Sequence, residues 1–155
     1  MEAQSHGVQA QCRCGKVSFE LLGQPVMRAA CACESCQTAA KTLGGLPDAP
    51  VIASADGSTP VILYRKDRVG QVSGLEHVRE YRLTAETPTR RLVADCCNTP
   101  VLMDFTKGYW ISFYAGRLPA AEGSGRMLRT FTAPFMAKLL LTWAGMGFRT
   151  PKLAW

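Results

Sequence analysis

The chain has 155 residues, 47% of them apolar and 19% charged, with a formal charge of +6. These values exclude an intrinsically disordered chain and fit one domain with a substantial core. The charge counts every thiol as neutral; seven metal-bound thiolates against two divalent ions would lower it by three, to about +3. The surplus is arginine-rich and no basic run with interleaved aromatics appears, so no nucleic-acid partner is expected.

The opening stretch, MEAQSHGVQA, has no apolar run behind a basic one, which predicts a cytoplasmic chain with reduced thiols and places His6 in a mobile terminus. Cys12-Arg13-Cys14 is followed by Gly15, and residues 17–21 then alternate as a strand until Gly23-Gln24-Pro25 breaks it. Next come Cys31, Cys33 and Cys36, the last at the start of a helix predicted over residues 34–43 and stopped by Gly44-Gly45. The exposed N–H groups and positive dipole end of that first turn favour a thiolate.

Residues 61–64, 78–83, 91–94 and 109–114 are further predicted strands, and Cys96-Cys97-Asn98 lies between the last two. A second helix starts at Thr132, carries Pro134 in its first turn and runs to Ala144. Phe135, Met136, Leu139, Leu140 and Trp143 give it one apolar face, predicted to pack on the sheet or to form a homodimer contact. Crossing a bilayer takes about 20 residues, so no transmembrane segment is expected. The tail from Phe148 to Trp155 is expected to extend the helix's contact. The chain thus reads as mainly β, a single domain over residues 1–155 with a core of about 8–118 and a helical extension from about 119.

The cysteines carry the chemistry. Two sulfurs separated by one or two residues can face one ion, whereas a disulfide across so short a loop is strained, and seven cannot pair completely. The count divides into a closed zinc site of four and an open one of three. Gly15 after Cys14 and Asn98 after Cys97 are the residue types that most readily take positive φ, the conformation a zinc knuckle needs after its last cysteine. The first and third clusters are therefore predicted to face one structural zinc, leaving Cys31, Cys33 and Cys36 with three thiolates and an open position. The competing reading closes that second site with Cys96, His77 or a water.

These segments resemble the glutathione-dependent formaldehyde-activating enzyme family. QCRCGKVSFEL is similar to its C-x-C-G-x-V-x-x-E opening, CACESCQ to its C-x-C-x-x-C-[RQ] motif, CCNTPVL to its C-x-x-C-G-T-P-L motif and residues 114–118 to its A-G-T-L segment. The resemblance runs in order from residue 11 to about 118. It implies a β-tent fold of small antiparallel sheets around zinc. It also implies a structural ion on Cys12, Cys14 and the third cluster, and a catalytic ion on Cys31, Cys33 and Cys36. The activity implied is the joining of glutathione and formaldehyde, a carbon–sulfur lyase reaction in reverse. One departure is informative: the alignment puts Ala94 where the first cysteine of C-x-x-C belongs and offers Cys96 instead. Adjacent strand residues point to opposite faces, so either the backbone bends at Cys96-Cys97 or Cys96 turns toward the second zinc.

The expected partner is a small thiol such as glutathione, its carboxylates met by candidates among Arg13, Arg28, Arg65, Arg68, Arg79 and Arg82, with His77 a weakly supported general base. The alternative is a non-catalytic zinc-stabilised interaction module, since the same superfamily includes centromere protein V and chaperone-like β-tent proteins. A third reading makes Cys96-Cys97 a redox pair.

Overall fold

A computed structural model of the chain describes residues 7–119 and 127–155. His6 lies outside the described residues. Ten strands and two α-helices are found among them: β1 (Val8–Gln11), β2 (Ser18–Leu21), β3 (Met27–Cys31), α1 (Glu34–Gly44), β4 (Thr59–Arg65), β5 (Val69–Ser73), β6 (Val78–Tyr81), β7 (Thr89–Ala94), β8 (Thr99–Phe105), β9 (Trp110–Tyr114), β10 (Met127–Arg129) and α2 (Ala133–Gly145). The mainly β class expected from the sequence is what the chain forms. No helix among the described residues is long and apolar enough to cross a membrane.

The strands make a small sheet, β1-β2-β5, and a seven-stranded sheet, β10-β3-β4-β9-β8-β7-β6. Every pairing is antiparallel except that of β10, which lies parallel to β3. The larger sheet is covered on both faces, and the alternation along β4 shows why. Ile62 and Tyr64 join a core with Phe19 and Leu21 of the small sheet, while Val61 and Leu63 join a second core with Phe135 and Leu139 of α2. Strands buried on both faces read as continuous apolar runs, as VIL does here.

The extension departs from its predicted form twice. It contributes a strand, β10, beside β3 before its helix begins. The apolar face of α2 is also only partly buried: Phe135 and Leu139 are covered, whereas Met136, Leu140 and Leu141 are exposed. The tail stays against the end of α2 only at its start, where the Phe148 ring lies 5.1 Å from that of Trp143 and Trp143 Nε1 donates to Arg149 O at 3.0 Å. It then returns to the opposite core, where the Trp155 ring packs 5.2 Å from Phe19 and Arg90 Nη2 donates to the Trp155 carbonyl oxygen at 2.6 Å.

A buried ion pair ties the far end of the sheet: Lys66 Nζ lies 2.8 Å from Asp104 Oδ1, and Arg90 Nε donates to Asp104 Oδ2 at 2.8 Å. The turn before β6 is tightest at Gly74, which has φ 80, and a Cβ there would sit 2.0 Å from the Lys16 carbonyl oxygen beside the first cysteine turn. Gly74→Ala is expected to destabilise the protein by about 3 kcal/mol. Gly57→Ala, at φ 85 but with nothing within 4 Å of the new Cβ, is expected to cost about 1 kcal/mol. Urea unfolding measures both, with a lowered midpoint at constant slope as the expected form.

Candidate metal centre and adjoining cleft

Cys12 stands just beyond β1, where its N–H donates to Val17 O at 3.0 Å and its own sulfur accepts the Val17 N–H at 3.3 Å. Gly15, at φ 80, closes the turn by donating to Cys12 O at 3.1 Å. Cys96 and Cys97 lie in the turn between β7 and β8, and Asn98 has φ 51. The predicted positive-φ punctuation is present in both turns. Asn98 also donates from Nδ2 to Pro47 O at 2.9 Å, which anchors its turn to the loop after α1.

Thr99 links the two turns. Its Oγ1 accepts from Arg13 N at 3.2 Å and lies 2.9 Å from Cys97 Sγ. The four sulfurs of Cys12, Cys14, Cys96 and Cys97 all fall within 4.8 Å of one another. Four separations are 3.7 Å (Cys12–Cys14), 3.9 Å (Cys12–Cys96), 3.3 Å (Cys14–Cys96) and 3.9 Å (Cys96–Cys97). Metal–sulfur bonds of about 2.3 Å in a tetrahedron place sulfurs about 3.8 Å apart, so this donor set can hold a metal ion with little rearrangement. Of the two alternatives at Cys96, the bend is the one found: the chain turns there, and both adjacent sulfurs reach the same point.

Cys31, Cys33 and Cys36 form a second group, their sulfurs also within 4.8 Å of one another, and it too can hold a metal ion. Cys31 ends β3 and Cys33 stands at the N-cap position of α1; Cys36 occupies its first turn, as predicted. Gln37 fixes the segment by donating from Nε2 to Ala32 O at 2.6 Å, and its N–H donates to Cys33 O at 3.0 Å. Cys31 and Cys33 sulfurs are 3.3 Å apart. No fourth His, Cys, Asp or Glu among the described residues joins this group.

In both groups one sulfur is favoured as thiolate and a neighbour as the thiol that donates to it. A hydrogen bond from Cys36 brings Cys31 down to about 5 against the effect of burial, while Cys36 is driven up by that bond and by its own burial. Burial opposes ionisation of Cys97, but hydrogen bonds from the Thr99 hydroxyl and the Cys14 N–H outweigh it and bring the thiol to about 6. Burial, then hydrogen bonds with Cys14 and Cys97, push Cys96 upward.

The three-cysteine group opens on a cavity of about 320 Å³. Its walls are mostly apolar: Val61 and Leu63 from β4, Met103 and Phe105 from β8, and Phe135 and Leu139 from α2. Thr130 and Phe131, from the turn after β10, complete the side near Cys31. The extension therefore helps to wall the cleft; of the exposed apolar residues of α2, Met136 lines it, whereas Leu140 and Leu141 do not.

Among the described residues the lining contains one basic or acidic side chain besides the cysteines, and it was not among the arginines singled out by sequence. Arg91 on β7 is 1% exposed. Its Nη2 lies 3.5 Å from Ser35 O and 4.0 Å from Cys36 Sγ, while Nε and Nη1 make no hydrogen bond. A buried guanidinium with no carboxylate partner is costly unless other negative charge lies near it; the sulfur it faces, Cys36, is favoured as the thiol, and the one favoured as thiolate is Cys31 in the same group. Arg117 stands comparably beside the first group: burial lowers its pKa, and the sulfurs of Cys97 and Cys12 act in the opposite direction.

None of the six arginines proposed as carboxylate ligands lines this cavity. Arg13 reaches the first group through its backbone, Arg28 lies on β3, Arg79 is exposed on β6, and Arg82 pairs with Glu80. Arg65 and Arg68 border a separate cavity with Lys138, and Arg65 is paired with Asp67 at 2.5 Å. His77 does not reach the second group either; it is part-exposed, 3.7 Å from Glu76 and 4.0 Å from Asp95, and is absent from the cleft. It neither closes the site nor faces a ligand there.

Comparison with known proteins is consistent with this geometry without adding a function. A family described as "Family of unknown function (DUF6151)" matches residues 4–117. No curated protein matches. The crystal structure of a Rhodobacter sphaeroides protein is similar, with a TM-score of 0.52, 17% identity and coverage of 79% of this chain and 99% of that one. At that identity the likeness shows the fold alone. The family match ends before β10, so it includes all seven cysteines and Arg91 but not the extension that helps to wall the cleft.

Arg91→Met is expected to have opposite effects on the two states. In metal-free protein it removes a buried cation whose Nε and Nη1 make no hydrogen bond, and leaves stability unchanged or raised by about 1 kcal/mol. At the three-cysteine group it is expected to weaken metal binding by roughly tenfold. Urea unfolding and chelator competition measure the two.

Proposed function

We propose that this chain, which belongs to the Family of unknown function (DUF6151), is a two-zinc protein in which one site is structural and the other binds a small thiol and its aldehyde adduct. The observation that carries the proposal is the asymmetry of the two cysteine groups. Four sulfurs converge on one point, while three others, with no fourth His, Cys, Asp or Glu among the described residues, face a cavity. Thiolate-only donors at tetrahedral spacing favour zinc among common divalent ions, and three protein ligands with an open position is the pattern of a reactive zinc.

The resemblance of the three cysteine motifs to the glutathione-dependent formaldehyde-activating and centromere protein V superfamily supports the same division of roles and a β-tent description of the two sheets. A single domain over residues 1–155 and a cytosolic setting, where such thiols stay reduced, belong to this reading.

A zinc ion at an open trithiolate site keeps a bound thiol ionised and nucleophilic near neutral pH. Cys31, Cys33 and Cys36 would hold that ion, and Arg91 would balance the surplus negative charge. In the condensing direction the thiol sulfur forms a bond to the carbonyl carbon, the carbonyl π pair moves to oxygen, and the thiol's proton ends on that oxygen. The reverse reaction breaks the same carbon–sulfur bond. Ser35, Thr89, Ser112 and Thr130 are the hydroxyl side chains of the cleft suited to the developing hydroxyl.

A second reading, a zinc-stabilised interaction module, is favoured by the exposed Met136, Leu140 and Leu141 on α2, which also offer a homodimer contact. Two measurements separate the readings. Zinc titration is expected to saturate at about two equivalents in the wild type and about one in Cys33→Ser. Magnetisation-exchange NMR is expected to show the zinc-loaded wild type accelerating exchange of formaldehyde with 2-mercaptoethanol, and Cys33→Ser failing to do so. Two bound zincs without acceleration would replace the enzymatic reading with the interaction module.

A further inference from the structure

We infer that the cleft beside Cys31, Cys33 and Cys36 selects a small thiol with an apolar body and discriminates against glutathione. The inference rests on the open-site reading above and specifies what the site accepts. It stands on the charges and surfaces that face the ligand.

Glutathione carries two carboxylates and an ammonium beside its thiol. Among the described residues, the lining contains no Asp, Glu, Lys or His, and Arg91 is its one cation. That cation is 1% exposed: Nη2 faces Cys36 Sγ at 4.0 Å and Ser35 O at 3.5 Å, and Nε and Nη1, though without hydrogen bonds, are buried away from the cleft's open space. Three thiolates and a divalent ion carry a net single negative charge, which the guanidinium returns to zero. Among the described residues, no further cation lines the cleft for a carboxylate of the ligand, and no carboxylate lines it for the ammonium. Charges brought against these walls would lose hydration without a partner.

The walls that meet the body of the ligand are Val61, Leu63, Phe105, Trp110, Phe135 and Leu139, and the cavity is about 320 Å³. That volume lies near the lower end of about 300–1,000 Å³ typical of small-molecule sites. Burial of an alkyl or aryl group against such walls is the interaction the cleft is built to give. Phe135 and Leu139 of this surface, with Phe131 and Met136 beside them, come from α2 and the turn before it, outside the matched residues 4–117, while Val61, Leu63, Phe105 and Trp110 lie within that segment. The cysteines can therefore be common to relatives while the accepted thiol differs.

The test uses full-length protein loaded with Co²⁺, with Cys33→Ser as the reference in which only the four-cysteine site retains its ligands. Visible absorption is titrated with benzyl mercaptan and with glutathione. Binding of benzyl mercaptan at least tenfold tighter than glutathione, seen in the wild type and absent from Cys33→Ser, is the expected result. Met136→Glu, at a position 43% exposed and therefore tolerant of a charge, is expected to reduce benzyl mercaptan binding by roughly tenfold while the Co²⁺ spectrum of the ligand-free protein is unchanged. Glutathione binding as tightly as benzyl mercaptan overturns the inference and leaves the open thiol site standing. No spectral response to either thiol removes both.

Discussion

Four sulfur atoms from segments more than 80 residues apart must meet within a few ångströms, and the arrangement of the strands follows from that requirement. Cys12 and Cys14 leave β1 of the small sheet; Cys96 and Cys97 turn between β7 and β8 of the large one. Bringing these turns together closes the small sheet over one face of the large sheet and encloses Phe19, Leu21, Ile62 and Phe113. In an entropy argument of the kind applied to disulfides, a cross-link over so long a loop is worth about 4.5 kcal/mol, and a metal–thiolate site can contribute more. Thr99, fully buried, maintains the junction by contacting both turns.

Covering one face of the large sheet leaves the other to the extension. There β10 adds a parallel edge to β3, and α2 lies over Val61 and Leu63. The cover stops short of the end of β3, where Cys31, Cys33 and Cys36 emerge, and the gap is the cleft. The two cysteine groups thus differ in a way that ligand chemistry alone does not specify: one gathers four sulfurs from two turns, the other has three and borders the cavity. The adjacent arginines, Arg117 and Arg91, moderate the negative charge of each group without acting as ligands.

Much of the candidate metal centre was legible in the sequence because cysteine spacing is a local property. Cys12-x-Cys14 and Cys31-x-Cys33-x-x-Cys36 can converge whatever the remaining chain does, and Gly15 and Asn98 mark the turns by their tolerance of positive φ. Helix α1 was likewise readable from its formers and its terminal glycines. Strands β4, β7 and β9 announced themselves through apolar runs, whereas β1, β3, β5 and β8 were missed, being short or partly polar and dependent on pairing partners for definition.

The sequence by itself determined the division of cysteines into local groups, the turns that present them and a mainly β chain, because each depends on neighbouring residues and backbone preference. Only the tertiary structure decided where Cys96 faces, since a one-residue change in direction depends on the turn that joins β7 to β8. It also decided the role of Arg91. An arginine in a short strand reads as a surface charge until both faces of its sheet are known to be covered, and that coverage is built by residues from opposite ends of the chain.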